Sequence, residues 1–393
     1  MRILHLGKYY PPAPGGIESH VQTLARGQAD LGHEVSVLCV NHADKDGKDI
    51  THSRWRRTPS FNQSDVNVRV NRIGRFFGIS RLEVCPGLLG QMREATSLAD
   101  IVHLHTPNPL MLAVWWLAGN RQNPLIITHH SDVIKQKVLQ VLVAPFESRV
   151  YRAARLILSD SPNYIDGSAV LQKFRDKVQV LPLGIDLEPF NNPGESEKLE
   201  AKKLVEDHGS PLWLMVGRMT YYKGYQVAIK ALAQVEGKLI IVGNGPLEPE
   251  LKAMAKSLGV AERIVWLPSV SRTRLIALYH AATALWFPSI ARSEGFGLVQ
   301  VEAMASGCPV LNTKIPGSGV PWVSQDGISG FTVGVNDAEG LACAAQNLVA
   351  QPATRRSLGE NAKARTAVMF DSQAMAVKSI ELYRKHTGKL NGA

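Results

Sequence analysis

Two rhythms alternate along this chain. Short apolar runs, each closed by a turn rich in Gly, Pro or polar residues, read as buried strands at Arg2–Leu6, Glu34–Val40, Ile101–Leu104, Leu125–Thr128, Leu156–Ser159 and Val178–Leu181. The second half repeats the pattern at Leu212–Val216, Lys238–Val242, Ile264–Leu267 and Ala284–Phe287. Between these runs the period changes to that of a helix. Over Ile17–Leu31, residues Val21, Leu24, Ala25, Gln28 and Leu31 share one face. Further helices are predicted from about Tyr225 to Gln234, from Gly297 to about Ala305, at Asp337–Leu348, at Arg355–Ala367 and at Phe370–His386. Strand–helix–strand alternation needs crossover connections and so parallel sheets. In a doubly wound parallel sheet, ligands bind beyond the C-terminal ends of the strands.

The alternation breaks once. Leu187 to Glu197 carries Pro189, Pro193, Gly194 and the pair Asn191-Asn192, which reads as an interdomain connection. The predicted domains are therefore 1–186 and 187–368, with 369–393 as a last amphipathic helix. A length of 393 residues suits two domains of ordinary size.

Composition adds limits. The chain is 45% hydrophobic and 20% charged, as in water-soluble globular proteins, and no apolar run is long enough to span a bilayer. Met1 to Gly7 reads as the first strand rather than a signal peptide, so a cytoplasmic protein is expected. The four cysteines, Cys39, Cys85, Cys308 and Cys343, are scattered without metal spacing; Cys39, Cys308 and Cys343 fall in apolar patterns and are expected to be reduced core residues. The net charge of +10 favours anionic partners, but no zinc-finger or RNP-type signature supports nucleic acid. Residues 51–93 interleave Arg54, Arg56, Arg57, Arg69, Arg72, Arg75, Arg81 and Arg93 with Trp55, Phe76 and Phe77. Such a stretch fits either a solvated basic face or contact with an anionic membrane surface, on its inner leaflet.

The chemistry collects in the loops that follow strands. Pro288 ends one strand, and Ser289 to Phe296 forms a loop before a helix that Gly297 opens. A Gly-rich turn feeding a helix N-terminus presents unpaired N–H groups and a positive dipole end, which suits phosphate. Glu294 precedes that site and Glu302 lies within the helix. A carboxylate beside a phosphate site needs donors of its own, and vicinal sugar hydroxyls are such donors. A nucleotide sugar is the ligand these features suggest. Arg218 and Lys223 follow another strand, between Gly217 and Gly224, and two cations there balance a diphosphate and the charge that grows as it leaves. Gly243 and Gly245 start a dinucleotide fingerprint, but Glu248 breaks it, which excludes NAD on this motif. In the first half, Gly15, Gly16, Glu18 and His20 lie after the first strand, and His105, His129 and His130 after later ones. His103, His105, His129 and His130 lack the helix-borne His/Glu pattern of a zinc site, so no metal is expected.

The string from Ser293-Glu294-Gly295-Phe296-Gly297 through Glu302-Ala303-Met304-Ala305-Ser306-Gly307-Cys308-Pro309-Val310 closely resembles the family-4 retaining glycosyltransferases of the GT-B fold. The resemblance covers most of the chain. It includes Gly15-Gly16-x-Glu18, His103-x-His105, Thr128-x-His130-Ser131-Asp132, Pro182-x-Gly184-Ile185-Asp186 and Gly243-x-Gly245-Pro246. The stretch Gly217-Arg218 to Lys223-Gly224 has four intervening positions, one short of some versions of the family's pattern, and Ser269 stands where relatives more often have Gly.

The resemblance implies two Rossmann-like domains facing across a cleft, with the last helix packing back towards the first. It implies hexose transfer from a nucleoside-diphosphate sugar with retention and without metal. His130, Arg218, Lys223 and Glu294 would be catalytic. Gly15, Gly16, Gly217, Gly243, Val270, Phe296, Gly297, Leu298, Val299 and Glu302 would hold the donor, with Glu302 on the ribose. Glu18, His20 and His105 would lie on the acceptor side. The acceptor would be a saccharide or lipid-linked saccharide. The Val320-Pro321-Trp322 and His129-His130-Ser131-Asp132 strings look most like members acting in bacterial polysaccharide assembly, with GDP-mannose the favoured donor and UDP-glucose next. An epimerase on the same fold, or a sugar-binding protein without activity, are the rival readings.

Overall fold

The structure is a computed structural model describing residues 1–50, 55–79, 82–132 and 146–388. Arg54 and Arg81 of the basic stretch lie outside the described residues. The chain divides into two compact units. One comprises 1–160, 168–184 and 372–393; the other comprises 161–167 and 185–371. The short segment 161–167 thus belongs with the second half of the sequence, and the last helix with the first.

In the first unit, eight strands form one sheet: β1 (Arg2–Leu6), β2 (Glu34–Val40), β3 (Phe61–Asp65), β4 (Val68–Ile73), β7 (Ile101–Thr106), β8 (Leu125–His129), β9 (Leu156–Ser159) and β10 (Val178–Val180). Their order is β10-β9-β8-β7-β1-β2-β4-β3, and only β3 runs antiparallel. A separate hairpin pairs β5 (Phe77–Ile79) with β6 (Leu82–Val84). Every residue of β7 and β8 is buried, as expected where helices cover both faces of a parallel sheet.

The helix Gly16–Asp30 turns Val21, Leu24 and Ala25 onto this sheet. The last helix, Ser372–Thr387, packs on it through Met375, Ile380 and Tyr383. The two helices approach closely at Gly27. A Cβ there would stand 2.8 Å from that of Ala376, so only glycine fits.

The second unit holds a six-stranded parallel sheet: β11 (Leu212–Val216), β12 (Lys238–Val242), β13 (Ile264–Leu267), β14 (Ala284–Phe287), β15 (Val310–Thr313) and β16 (Gly330–Val333). The order is β13-β12-β11-β14-β15-β16. The strand order reverses around β11 and β14, and their C-terminal ends are where a ligand site belongs. Trp213 and Trp286, on these two neighbours, stack with ring centroids 5.1 Å apart and centre the core. The connection after β15 ends in a short helix, Val320–Val323, with Pro321 in its first turn.

Three sequence expectations need correction. Cys343 is exposed on the helix Ala338–Ala350, whereas Cys39, Cys85 and Cys308 are buried. The helix's buried face is taken by Leu341, Ala342, Ala345 and Leu348, and Cys343 falls outside it. Arg72 and Arg75 are also buried rather than part of a basic face. Arg72 donates to the carbonyls of Tyr10 and Pro11, and Arg75 pairs with Glu83 at 2.8 Å. Trp55 and Phe76 remain exposed, with the Arg57 guanidinium 4.4 Å over the Phe76 ring.

Five of the imidazoles buried in the first unit, His5, His20, His103, His105 and His130, cluster about β1, β7 and β8. Burial disfavours the charged form, and it lowers His5 to about 4, His20 to about 3 and the other three well below the usual value. These groups stay neutral in the fold and take up protons in the unfolded chain. Their stabilisation is complete above about pH 6.5 and declines as the pH falls towards 4, by up to about 1.4 kcal/mol per pH unit for each proton. Glu18, Glu147 and Glu302, raised by burial, act in the opposite sense but are fewer. Thermal melts should give a constant Tm between pH 7 and 8 and a falling one from pH 6.5 to 5. A Tm that holds constant down to pH 5 would contradict this.

Candidate active site

The C-terminal ends of β11, β12, β13 and β14 bring together the residues singled out in the second half of the sequence. After β11, Gly217 has a φ of 141°, a conformation that favours glycine. The Gly217 carbonyl accepts from the Tyr225 hydroxyl at 2.6 Å. Gly243, after β12, packs against that same carbonyl, where a Cβ would clash. Gly224 adopts the left-handed conformation that turns the chain into the helix Tyr225–Leu232, and it packs on the Pro288 carbonyl. Lys223 is thereby aimed at the loop after β14. Its Nζ lies 2.6 Å from Glu294 Oε2, with the two side chains 13% and 10% exposed. The ammonium also stands 5.0 Å over the Phe287 ring. Arg218 is exposed and forms no ion pair among the described residues. Val270 is half-buried in the loop after β13.

The Glu294 loop is held from outside. The Ser318 hydroxyl donates to the Glu294 carbonyl at 2.6 Å, and the Gly319 amide to the Gly295 carbonyl at 2.8 Å. Ser289 Oγ sits 3.5 Å from the Glu294 carboxylate. Phe296 is buried and meets Phe370 edge to face at 5.6 Å. Gly297, left-handed at φ 81°, caps the helix Leu298–Ala305 and packs against the Phe287 ring. The first turn leaves the amides of Leu298 and Val299 without intrahelical acceptors. Gln300 fixes that turn by donating to the Phe296 carbonyl at 2.8 Å, and Asn312 in β15 donates to Gln300 Oε1 at 3.0 Å. Glu302, one turn further on, accepts from the Tyr279 hydroxyl at 2.6 Å. Burial raises its carboxyl, against that hydrogen bond.

Chemically, this arrangement offers a helix N-terminus, one exposed guanidinium, one ammonium already paired with a carboxylate, and a second carboxylate further along the helix. It suits a ligand with adjacent anionic and hydroxyl-bearing parts.

The first unit assembles the remaining residues. Gly15 and Gly16 are exposed at the start of the helix Gly16–Asp30, and the Glu18 side chain folds back over Gly15. His105 Nδ1 lies 3.2 Å from His130 Nε2, and the His20 ring meets that of His130 edge-on at 4.9 Å. Neither ring nitrogen of His20 has a hydrogen-bond partner among the described residues. Ligand-capable atoms of His20, His105 and His130 lie within 4.8 Å of one another, as do those of His5, His103 and His105. Among the described residues, these two groups are the sets that could take a metal ion. His129 Nε2 instead donates to Asp132 at 2.9 Å, and its Nδ1 lies 2.6 Å from the Tyr151 hydroxyl.

Sequence reasoning missed several participants. His5 sits mid-strand with no motif, and Gln28 was placed on the apolar face of its helix without a partner. A polar residue on an apolar stripe is the available signal for Gln28. Tyr279, Asn312 and Ser318 have no local signal, because their partners are distant in the chain.

Residues 14–189 match the model of Glycosyltransferase Family 4, and residues 196–365 that of Glycosyl transferases group 1. The chain is 30% identical to O-antigen chain mannosyltransferase C of Escherichia coli, over 98% of each chain. It is 31% identical to D-rhamnosyltransferase WbpZ of Pseudomonas aeruginosa, over 94% of this chain and 92% of that one. The fold matches sucrose-phosphate synthase from Thermosynechococcus elongatus with a TM-score of 0.77 at 22% identity, covering 99% and 100% of the two chains. It matches Anabaena HepE, solved with UDP, with a TM-score of 0.76 at 21% identity, covering 98% and 100%. With two Rossmann-like units and both halves matched, the chain belongs to the family-4, group-1 glycosyltransferases and has the GT-B fold.

Proposed function

We propose that this protein is a retaining hexosyltransferase. It moves a mannose-type hexose from a nucleoside-diphosphate sugar to a saccharide or lipid-linked saccharide acceptor in cell-surface polysaccharide assembly. The observation that carries this reading is the Lys223–Glu294 pair at 2.6 Å beside the amide-bearing start of the helix Leu298–Ala305. A diphosphate fits the amides, Arg218 and Lys223; hydroxyls of the hexose fit Glu294; the ribose fits Glu302. The names of the mannosyl- and rhamnosyltransferase relatives support a mannose-type sugar, and GDP-mannose is the donor proposed on the sequence resemblance. UDP-glucose is the next donor to try.

The step follows from the charges available. The bond from the sugar C1 to the phosphate oxygen breaks as negative charge grows on the diphosphate, where Arg218 and Lys223 stabilise it. The acceptor oxygen bonds to C1 on the same face, and its proton passes to the leaving phosphate oxygen. Retention then needs no enzyme nucleophile.

Arg218→Ala should lower kcat by about 10²-fold, roughly 3 kcal/mol of transition-state stabilisation, with an unchanged melting curve. Lys223→Ala should lose at least as much turnover and also melt earlier. It leaves the Glu294 carboxylate buried without its cation, a loss worth about 3–5 kcal/mol for a buried pair. Normal turnover in Arg218→Ala would remove the diphosphate assignment.

The two glutamates should separate. Ribose contacts are alike in ground and transition states, whereas contacts to the hexose change as its bond breaks. Glu302→Gln should raise donor KM and weaken binding of the free nucleoside diphosphate. Glu294→Gln should lower kcat and leave that binding nearly unchanged. Calorimetry with the nucleoside diphosphate decides, and the opposite pattern would reverse the donor's orientation.

Because protein cations serve the diphosphate in this reading, transfer should persist in EDTA. Complete loss that Mg²⁺ or Mn²⁺ restores would show that the diphosphate's charge is balanced by an ion instead.

A further inference from the structure

The histidines of the first unit form a directed chain of hydrogen bonds. It starts at the last helix, where the Ser379 hydroxyl donates its only proton to the Ala376 carbonyl at 2.7 Å. Ser379 Oγ therefore accepts from the Gln28 amide nitrogen, 2.8 Å away. That same nitrogen donates to the Tyr383 hydroxyl at 3.1 Å. With its nitrogen fixed on this side, Gln28 turns its oxygen to His5 Nε2 at 2.8 Å. An amide oxygen accepts only, so His5 carries its proton on Nε2.

A neutral imidazole has one N–H and one lone pair. All the rings in this chain are buried, which holds them neutral. His5 Nδ1 is thus an acceptor, and its partner at 3.0 Å, His105 Nε2, must be the donor. His105 Nδ1 is then an acceptor, and its partner at 3.2 Å, His130 Nε2, must be the donor. His103 stays outside the chain. It accepts on Nδ1 from the Tyr383 hydroxyl at 2.6 Å and donates from Nε2 to Thr128 at 2.6 Å.

We infer that Ser379, Gln28, His5 and His105 are positioning residues that fix His130 as the Nε2–H tautomer, so that its Nδ1 is an obligate hydrogen-bond acceptor. Deduced from donors and acceptors alone, the tautomer needs no substrate. Its use rests on the proposed transferase function and on the family resemblance that makes His130 catalytic. There it makes His130 a partner for a sugar hydroxyl's proton and not for a carboxylate or phosphate oxygen. The chain also competes with a metal ion, since a metal on His130 Nε2 would have to displace the proton that His105 accepts.

The test is nitrogen NMR of the full chain with ¹⁵N-labelled histidine at pH 7.5, the His130 signals being identified by their loss in His130→Asn. The expected pattern for His130 is a pyrrole-type Nε2 and a pyridine-type Nδ1. The reverse pattern, an imidazolium, or one equivalent of zinc in the purified protein would overturn the inference. In Gln28→Met, which keeps the side chain's length and removes the acceptor, the two His130 nitrogens should move towards averaged shifts. Transfer should fall about tenfold in kcat with donor KM within about twofold, as for a misdirected ring. An unchanged His130 spectrum in Gln28→Met would also overturn it. The wild-type spectrum decides the tautomer even if that variant folds poorly. A protein that transfers no hexose yet shows the expected spectrum would refute the functional reading alone.

Discussion

Lys223 and Glu294 form the contact on which the candidate site depends. The two charges come from loops after different strands, β11 and β14, and meet at 2.6 Å with little exposure. Taking two ions out of water is costly, and their attraction offsets that cost only when the geometry is good. Here geometry is enforced by glycines. Gly224 closes on the Pro288 carbonyl and Gly297 on the Phe287 ring, which brings both loops to the same strand end. Ser318 and Gly319 hold the backbone on either side of the Glu294–Gly295 bond from a third loop. A ligand that engages both charges would meet groups already desolvated and oriented, which is the condition for electrostatic catalysis.

The first unit solves a different problem. It collects imidazoles about β1, β7 and β8 without charging them, by burying them and giving most of their nitrogens a partner. The last helix takes part in this, although it is separated from Gln28 by most of the sequence. Gly27 lets that helix come close enough for Ser379 and Tyr383 to reach Gln28. Packing and hydrogen bonding there are two consequences of one close approach.

The alternating rhythm made the two parallel sheets legible, because a strand buried on both faces is an unbroken apolar run. The helix start at Gly297 was legible too, since a Gly-rich turn after a strand marks where a helix begins. What failed was the reading of charge and of single residues. Arg72 and Arg75 look like surface from composition, yet each is buried by partners, the Tyr10 and Pro11 carbonyls and Glu83, that no local pattern announces. Cys343 reads as core until its neighbours on the same helix are seen to fill the buried face. The Lys223–Glu294 pair and the tie from Gln28 to the last helix are long-range facts, and motif spacing carries no distance between loops.

The most direct test is a transfer reaction followed by NMR at the anomeric centre. The protein is mixed with α-linked GDP-mannose and a mannose-terminated acceptor, with UDP-glucose run in parallel. The account predicts that the nucleotide sugar is consumed only when acceptor is present and that the new glycosidic bond is α. A β-linked product, or a nucleotide sugar epimerised without acceptor, would contradict it.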